Sequence, residues 1–122
     1  MKFDASSIVP LYQQIADQFT AGILSGAFPE DTQIPSTTEV ARTYAINPAT
    51  VLKGMNVLVE AGLIEKRRGI GMFVTAGAQE TLRKKRKHDF YADRITALVA
   101  AAKALDISKA ELVAAIEEGY EQ

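Results

Sequence analysis

Lys66, Arg67 and Arg68 stand in a row ahead of Gly69-Ile70-Gly71. The glycines permit the positive φ angles that a tight turn needs. A turn tipped with cations is suited to neutralising phosphates, which makes Arg67, Arg68 and Gly69 candidate contacts for a nucleic acid. The plainer reading of the same residues is a soluble turn whose charge protects a strand edge. Upstream, Asn47-Pro48-Ala49-Thr50 is followed by Lys53. Taken alone, Thr50 and Lys53 read as solvated helix residues; set in a nucleic-acid-binding frame they become candidate contacts. Thr50 can bond a phosphate or a base edge, and Lys53 can neutralise a phosphate or read guanine. Asn47 is a helix cap and a candidate phosphate ligand, and capping alone explains it about as well.

Other chemistries are poorly served. Without cysteine the chain has no disulfide, thiolate nucleophile or zinc–thiolate site. The one histidine, His88, argues against a His-rich metal site or a Ser-His triad and reads as a surface or interface residue. No paired carboxylates, nucleophile–base set or phosphate loop appears. No enzyme activity, cofactor or metal is expected. The net charge of −1 counts mildly against nucleic-acid binding, but distribution matters more than the sum. Two blocks, Lys66–Arg68 and Arg83–Lys87, concentrate positive charge on a neutral body. Five consecutive cations on a helix cannot share one surface, so Arg83–Lys87 reads first as a solvated helix and second as a source of non-specific phosphate attraction. The N-terminus has no signal-like apolar core, and no stretch approaches a membrane span. A cytoplasmic location and no membrane partner are expected.

These candidate contacts need elements to hold them. Pro10 suits the first turn of a helix, along which Leu11, Ile15, Phe19 and Ile23 recur every four residues until Gly26. Phe28 and Ile34 would anchor the loop that follows. Ser36 and Glu39 form a capping-box signature, opening a short helix that can bury Val40, Ala41 and Tyr44. Asn47-Pro48 starts the next helix, with Val51, Met55 and Leu58 inward and Ala49, Lys53 and Asn56 outward, ending at Gly62. Two helices joined by so short a turn make a helix-turn-helix. Residues 63–67 and 71–75 read as the strands of a hairpin that must pack on the helices to be stable. The predicted fold is mainly α with a small β-hairpin, a winged helix-turn-helix over residues 1–75.

Residues 76–122 change character. Residues 79–104 lack proline and glycine and predict one helix about 39 Å long. Tyr91, Ile95, Leu98, Ala102 and Leu105 form its stripe. Ser108 and Glu111 repeat the capping box before a last helix whose apolar side carries Leu112, Val113 and Ile116. Two helices bury two such faces poorly against each other alone. We therefore expect a two-helix dimerisation region and a homodimer, with Tyr91, Ile95, Leu98, Ala102, Leu105, Leu112 and Ile116 in the interface. The alternative for Phe90 and Tyr91 is to line a pocket for an unidentified small-molecule effector.

In order and spacing, Pro10-Leu-Tyr-Gln-Gln-Ile, Ile34-Pro-Ser, Asn47-Pro-Ala-Thr-Val and Gly62-Leu-Ile-Glu-Lys-Arg-Arg-Gly-Ile-Gly-Met-Phe-Val74 resemble the N-terminal domain of the GntR family of bacterial transcription regulators. The tail around Leu105-Asp-Ile-Ser-Lys-Ala-Glu-Leu-Val113 is similar to its small YtrA subfamily, in which two helices dimerise. The resemblance implies a homodimer bound to a palindromic double-stranded DNA operator, usually as a repressor. It places the start of the recognition helix at Asn47, Pro48, Ala49 and Thr50, with Lys53 one turn on, and the wing at Arg68, Gly69 and Gly71. It adds Ser36 and Thr38 to the DNA-contacting set. Thr38 departs from the family pattern, which has an arginine just before the glutamate. A winged-helix module that binds protein rather than DNA is the alternative function, since the fold alone does not fix one.

Overall fold

A computed structural model describes all of residues 1–122. Its elements run α1 (Leu11–Ser25), α2 (Thr37–Tyr44), α3 (Pro48–Glu60), β1 (Ile64–Arg67), β2 (Gly71–Val74), α4 (Ala78–Asp89), a π-helical turn (Phe90–Ile95), α5 (Thr96–Ala104) and α6 (Lys109–Tyr120). The chain divides into two compact units, Met1–Arg83 and Lys84–Gln122.

In the first unit the four-residue rhythm of α1 buries Ile15, Phe19 and Ile23. Pro10 lies just outside the helix, at the N-cap, and its carbonyl accepts from the Gln13 and Gln14 amides. Gly26 closes α1 in the left-handed conformation, at a φ of +87°. Val40 and Ala41 of α2 meet Val51, Met55 and Leu58 of α3 in the same core, where Ile34, Leu63, Ile64 and Val74 join them. Phe28 is half-buried and stacks on Phe19 at 5.2 Å between ring centroids. Tyr44 departs from the expectation of burial. It is exposed and meets Phe3 edge-on at 5.1 Å, because the segment before α1 folds back and offers it a ring outside the core.

The strands pair antiparallel with Ile64 opposite Val74 and Arg67 opposite Gly71. Residues 31–34 lie along the free edge of β2. The Asp31 amide donates to the Val74 carbonyl, the Val74 amide to Thr32, and the Ile34 amide to Met72, at 2.9, 3.0 and 2.9 Å. This third, short rung, with Ile64 and Val74 buried in the helical core, supports a hairpin that would be marginal alone. Ala78 and Leu82 of α4 are buried in the core as well. The compact unit therefore extends eight residues past the expected boundary at residue 75.

The second unit contains the main difference from the sequence reading. Residues 79–104 are helical throughout, but the run is broken by the π-helical turn at Phe90–Ile95. Composition without proline or glycine favours helix of either closure, so propensity could not distinguish the two. Ser108 caps α6 with the expected box, its Oγ accepting from the Glu111 amide at 3.1 Å. Ala102 is the buried side chain of this unit, and Ile95 and Leu112 are half-buried. Tyr91, Leu98, Leu105 and Ile116 are exposed, Leu105 by 71%.

Candidate nucleic-acid interface

Two helix starts and one turn carry the expected contacts. At the start of α2, Ser36 Oγ accepts from the Glu39 amide at 3.1 Å, and Glu39 Oε1 accepts from the Ser36 amide at 3.3 Å. The box engages both side chains and leaves Thr38 exposed between them. At the start of α3, Asn47 Oδ1 accepts from the Ala49 amide at 2.8 Å, and Pro48 takes the position where an amide would go unpaired. Asn47 therefore caps the helix and keeps its side-chain NH2 as a donor. Ala49 and Lys53 are exposed and Thr50 is half-buried. These residues line an open cleft of about 450 Å³ together with Pro10, Leu11 and Tyr12.

Within that cleft the Lys53 ammonium sits 4.1 Å from the centroid of the Tyr12 ring. Attraction of a cation to an aromatic face holds the otherwise flexible lysine near the start of α1. The outward direction of Lys53 was legible from helical periodicity. Tyr12 was not, because the contact joins two helices distant in sequence. Arg42 is a second residue that the sequence reading passed over. It is exposed, takes part in no ion pair, and lines an open groove of about 270 Å³ with Thr38 and Pro48. Its position one turn after Thr38 was the available signal.

The turn joining the strands is closed by the Ile70 amide donating to the Arg67 carbonyl at 3.0 Å, with Gly69 at a φ of +76°. Arg68 and Gly69 are exposed at its tip. Arg67, a candidate contact from the sequence, is engaged within the protein. Its Nη2 donates to Asp31 Oδ1 at 3.0 Å and to Glu65 Oε1 at 3.1 Å, and its guanidinium lies 4.2 Å over the Phe73 ring. The hydrogen bond to Glu65, with Asp31 behind it, raises its pKa further above the ordinary arginine value. Two carboxylates thus balance the charge that a phosphate would otherwise meet. Asp31 reaches Arg67 only because residues 31–34 run along β2. Lys66 and Arg68 remain outside any ion pair. The run Arg83–Lys87 is exposed throughout.

The sequence profile described as "Bacterial regulatory proteins, gntR family" matches residues 11–74, just over half of the chain. The chain belongs to the GntR family. The matched GntR stretch runs from the start of α1 to the end of β2, the helix-turn-helix with its wing. The chain is 34% identical over 82 residues to the transcriptional repressor YtrA of Bacillus subtilis, covering 67% of this chain and 63% of that one. It spans about a third of the length of two further repressors that it matches. Among solved structures, a GntR-family chain from Bacteroides thetaiotaomicron superposes with a TM-score of 0.77 at 32% identity, covering 90% of this chain and 96% of that one. The DNA-binding domain of AraR, solved in complex with its operator ORR3, superposes with a TM-score of 0.54 at 25% identity, over 62% of this chain and 90% of that domain. No helix of this GntR chain is long and apolar enough to cross a membrane.

Proposed function

We propose that the chain is a homodimeric, sequence-specific DNA-binding repressor of the bacterial cytoplasm. The start of α3, with Asn47, Pro48, Ala49, Thr50 and Lys53, enters the major groove. Arg68 and Gly69 of the wing approach the flanking backbone. Ser36 at the cap of α2, and Thr38 and Arg42 within it, face phosphates beside α3, Arg42 lining the same groove as Thr38. Arg67 is assigned instead to the scaffold of the wing.

The observation that supports this reading most is the set of exposed cations without carboxylate partners, Arg42, Lys53 and Arg68, on the segment that matches the GntR profile. Arg67, by contrast, is paired with Asp31 and Glu65. The relatives and the operator-bound AraR domain point the same way. A dimer is supported by the exposed Tyr91, Leu98, Leu105 and Ile116. Two-fold symmetry then calls for an inverted-repeat operator, with half-site centres about 10 base pairs apart.

The test is selection of bound duplexes from a random pool, followed by affinity measurements on the winners over a range of salt. Recovery of an inverted repeat whose affinity falls steeply with salt supports the proposal. Recovery of no sequence, with binding to protein partners alone, overturns it in favour of a protein-interaction module.

A further inference from the structure

The wing tip is fastened by one side chain that neither the helix-turn-helix nor the hairpin requires. Main-chain pairing between residues 31–34 and β2 ends at Met72, whose carbonyl accepts from the Ile34 amide at 2.9 Å. Beyond it, Gln33 Nε2 donates to the Ile70 carbonyl at 2.8 Å, in the turn itself. Gly71 makes room for this reach. A Cβ built on Gly71 would come within 2.5 Å of Gln33 Nε2, and its φ of +135° lies where side chains are disfavoured. Gln33 is exposed, so its side chain adds little to the core. Two residues further along the chain, Pro35 leads directly into Ser36, the cap of α2.

We infer that Gln33 is a positioning residue, which holds the wing tip, and with it Arg68, in a fixed relation to the DNA-facing start of α2. The inference rests on the DNA-binding reading above and deepens it. A free wing must be ordered when it meets the duplex, and that ordering lowers affinity. A wing held beforehand avoids most of that loss. The Arg67 bridge to Asp31 ties the last residue of β1 to the same loop. Gln33 fastens the turn beyond it. The two contacts make residues 31–34 a splint between the wing and the helix-turn-helix.

The experiment has two arms, both on the full chain. In the first, backbone order parameters of Gly69 and Ile70 are measured by NMR without DNA. Gln33→Ala and Gln33→Glu, which removes the donor with little change of shape, should both loosen the tip. Unchanged order in both variants overturns the splint. In the second arm, affinity for a selected duplex is measured for Gln33→Ala, Arg68→Ala and the double variant. Gln33→Ala should weaken binding about five-fold, because the duplex must then order the tip, with a fall in the thermal midpoint no larger than the loss of one exposed hydrogen bond brings. In the Arg68→Ala background the same change should have less than about a two-fold effect, because the contact it positions is gone. Equal effects in both backgrounds would mean that Gln33 acts on stability or elsewhere, and would overturn the role. If the wild-type chain binds no duplex, the DNA-binding reading and this use of the splint fail together. In that case the first arm still decides whether the tip is fastened.

Discussion

Lys66, Arg67 and Arg68 are neighbours in sequence, yet they hold different places. Arg67 is turned back onto Asp31, Glu65 and Phe73, while Arg68 stands free at the turn. The two should therefore respond oppositely to truncation. Arg68→Ala is expected to weaken binding about equally for all sequences, to make the salt dependence shallower by about one phosphate contact, and to leave the thermal midpoint in place. Arg67→Ala should lower the thermal midpoint and change the salt dependence less. Affinity titrations across salt, paired with thermal melts of the free protein, check both. Lys53 is the remaining cation of the α3 start, held beside Tyr12. Lys53→Ala should either follow Arg68→Ala or relax preference at a single base pair by about 1–3 kcal/mol. A panel of operators varied one position at a time distinguishes these two modes, and an unchanged profile and affinity would remove Lys53 from the interface.

The elements are held in their relation by close backbone approaches. α1 and α3 cross where Gly54 faces α1, and a Cβ there would come within 2.7 Å of the Tyr12 carbonyl oxygen and 3.0 Å of Ile15 Cβ. Gly54→Ala must push the helices apart, and overpacking of this kind costs about 1–3 kcal/mol. Urea denaturation should register that loss. Because the shift would carry the start of α3 with it, DNA affinity should fall in the same variant. The link between α2 and α3 is strained in the opposite sense. Ala45 caps α2 in the left-handed region at a φ of +53°, where an L side chain costs about 1 kcal/mol. Ala45→Gly relieves that strain and should raise stability by up to about 1 kcal/mol, measured by the same method. No stability gain would mean that the left-handed conformation is already compensated by its surroundings.

For the whole molecule, the decisive quantity is apolar surface left without a partner. In the unit Lys84–Gln122, the large apolar side chains Phe90, Tyr91, Leu98, Val99, Leu105, Val113, Ile116 and Tyr120 are exposed. Burying a side chain of this size stabilises by about 1.5–3 kcal/mol, so a second copy that covers several of them would gain far more than a lone chain can. Leu98→Glu with Leu105→Glu should yield monomers in sedimentation experiments and weaken operator binding, since each half-site would then be bound alone. Dimers persisting in that double variant would place the interface on another surface. The proposed half-site spacing follows from the symmetry of the assembly and not from any one residue.

What the sequence determined by itself was local. The caps at Ser36, Asn47 and Ser108, the stop at Gly26 and the inward faces of α1 and α3 follow from hydrogen-bonding groups and periodicities within a few residues. They appear in the structure at the expected positions. The order of those elements was enough to predict the winged helix-turn-helix. What tertiary structure decided was every feature that joins distant segments. The withdrawal of Arg67 depends on Asp31, and the seat of Lys53 depends on Tyr12. The burial of Ala78 and Leu82 depends on the core they reach. The π-helical turn lay beyond reach for a different reason: the residues that favour helix do not specify whether a turn closes after four residues or five. Charge type and helical face can be read from a sequence, but whether a charge is free or already satisfied depends on which parts of the chain fold against it.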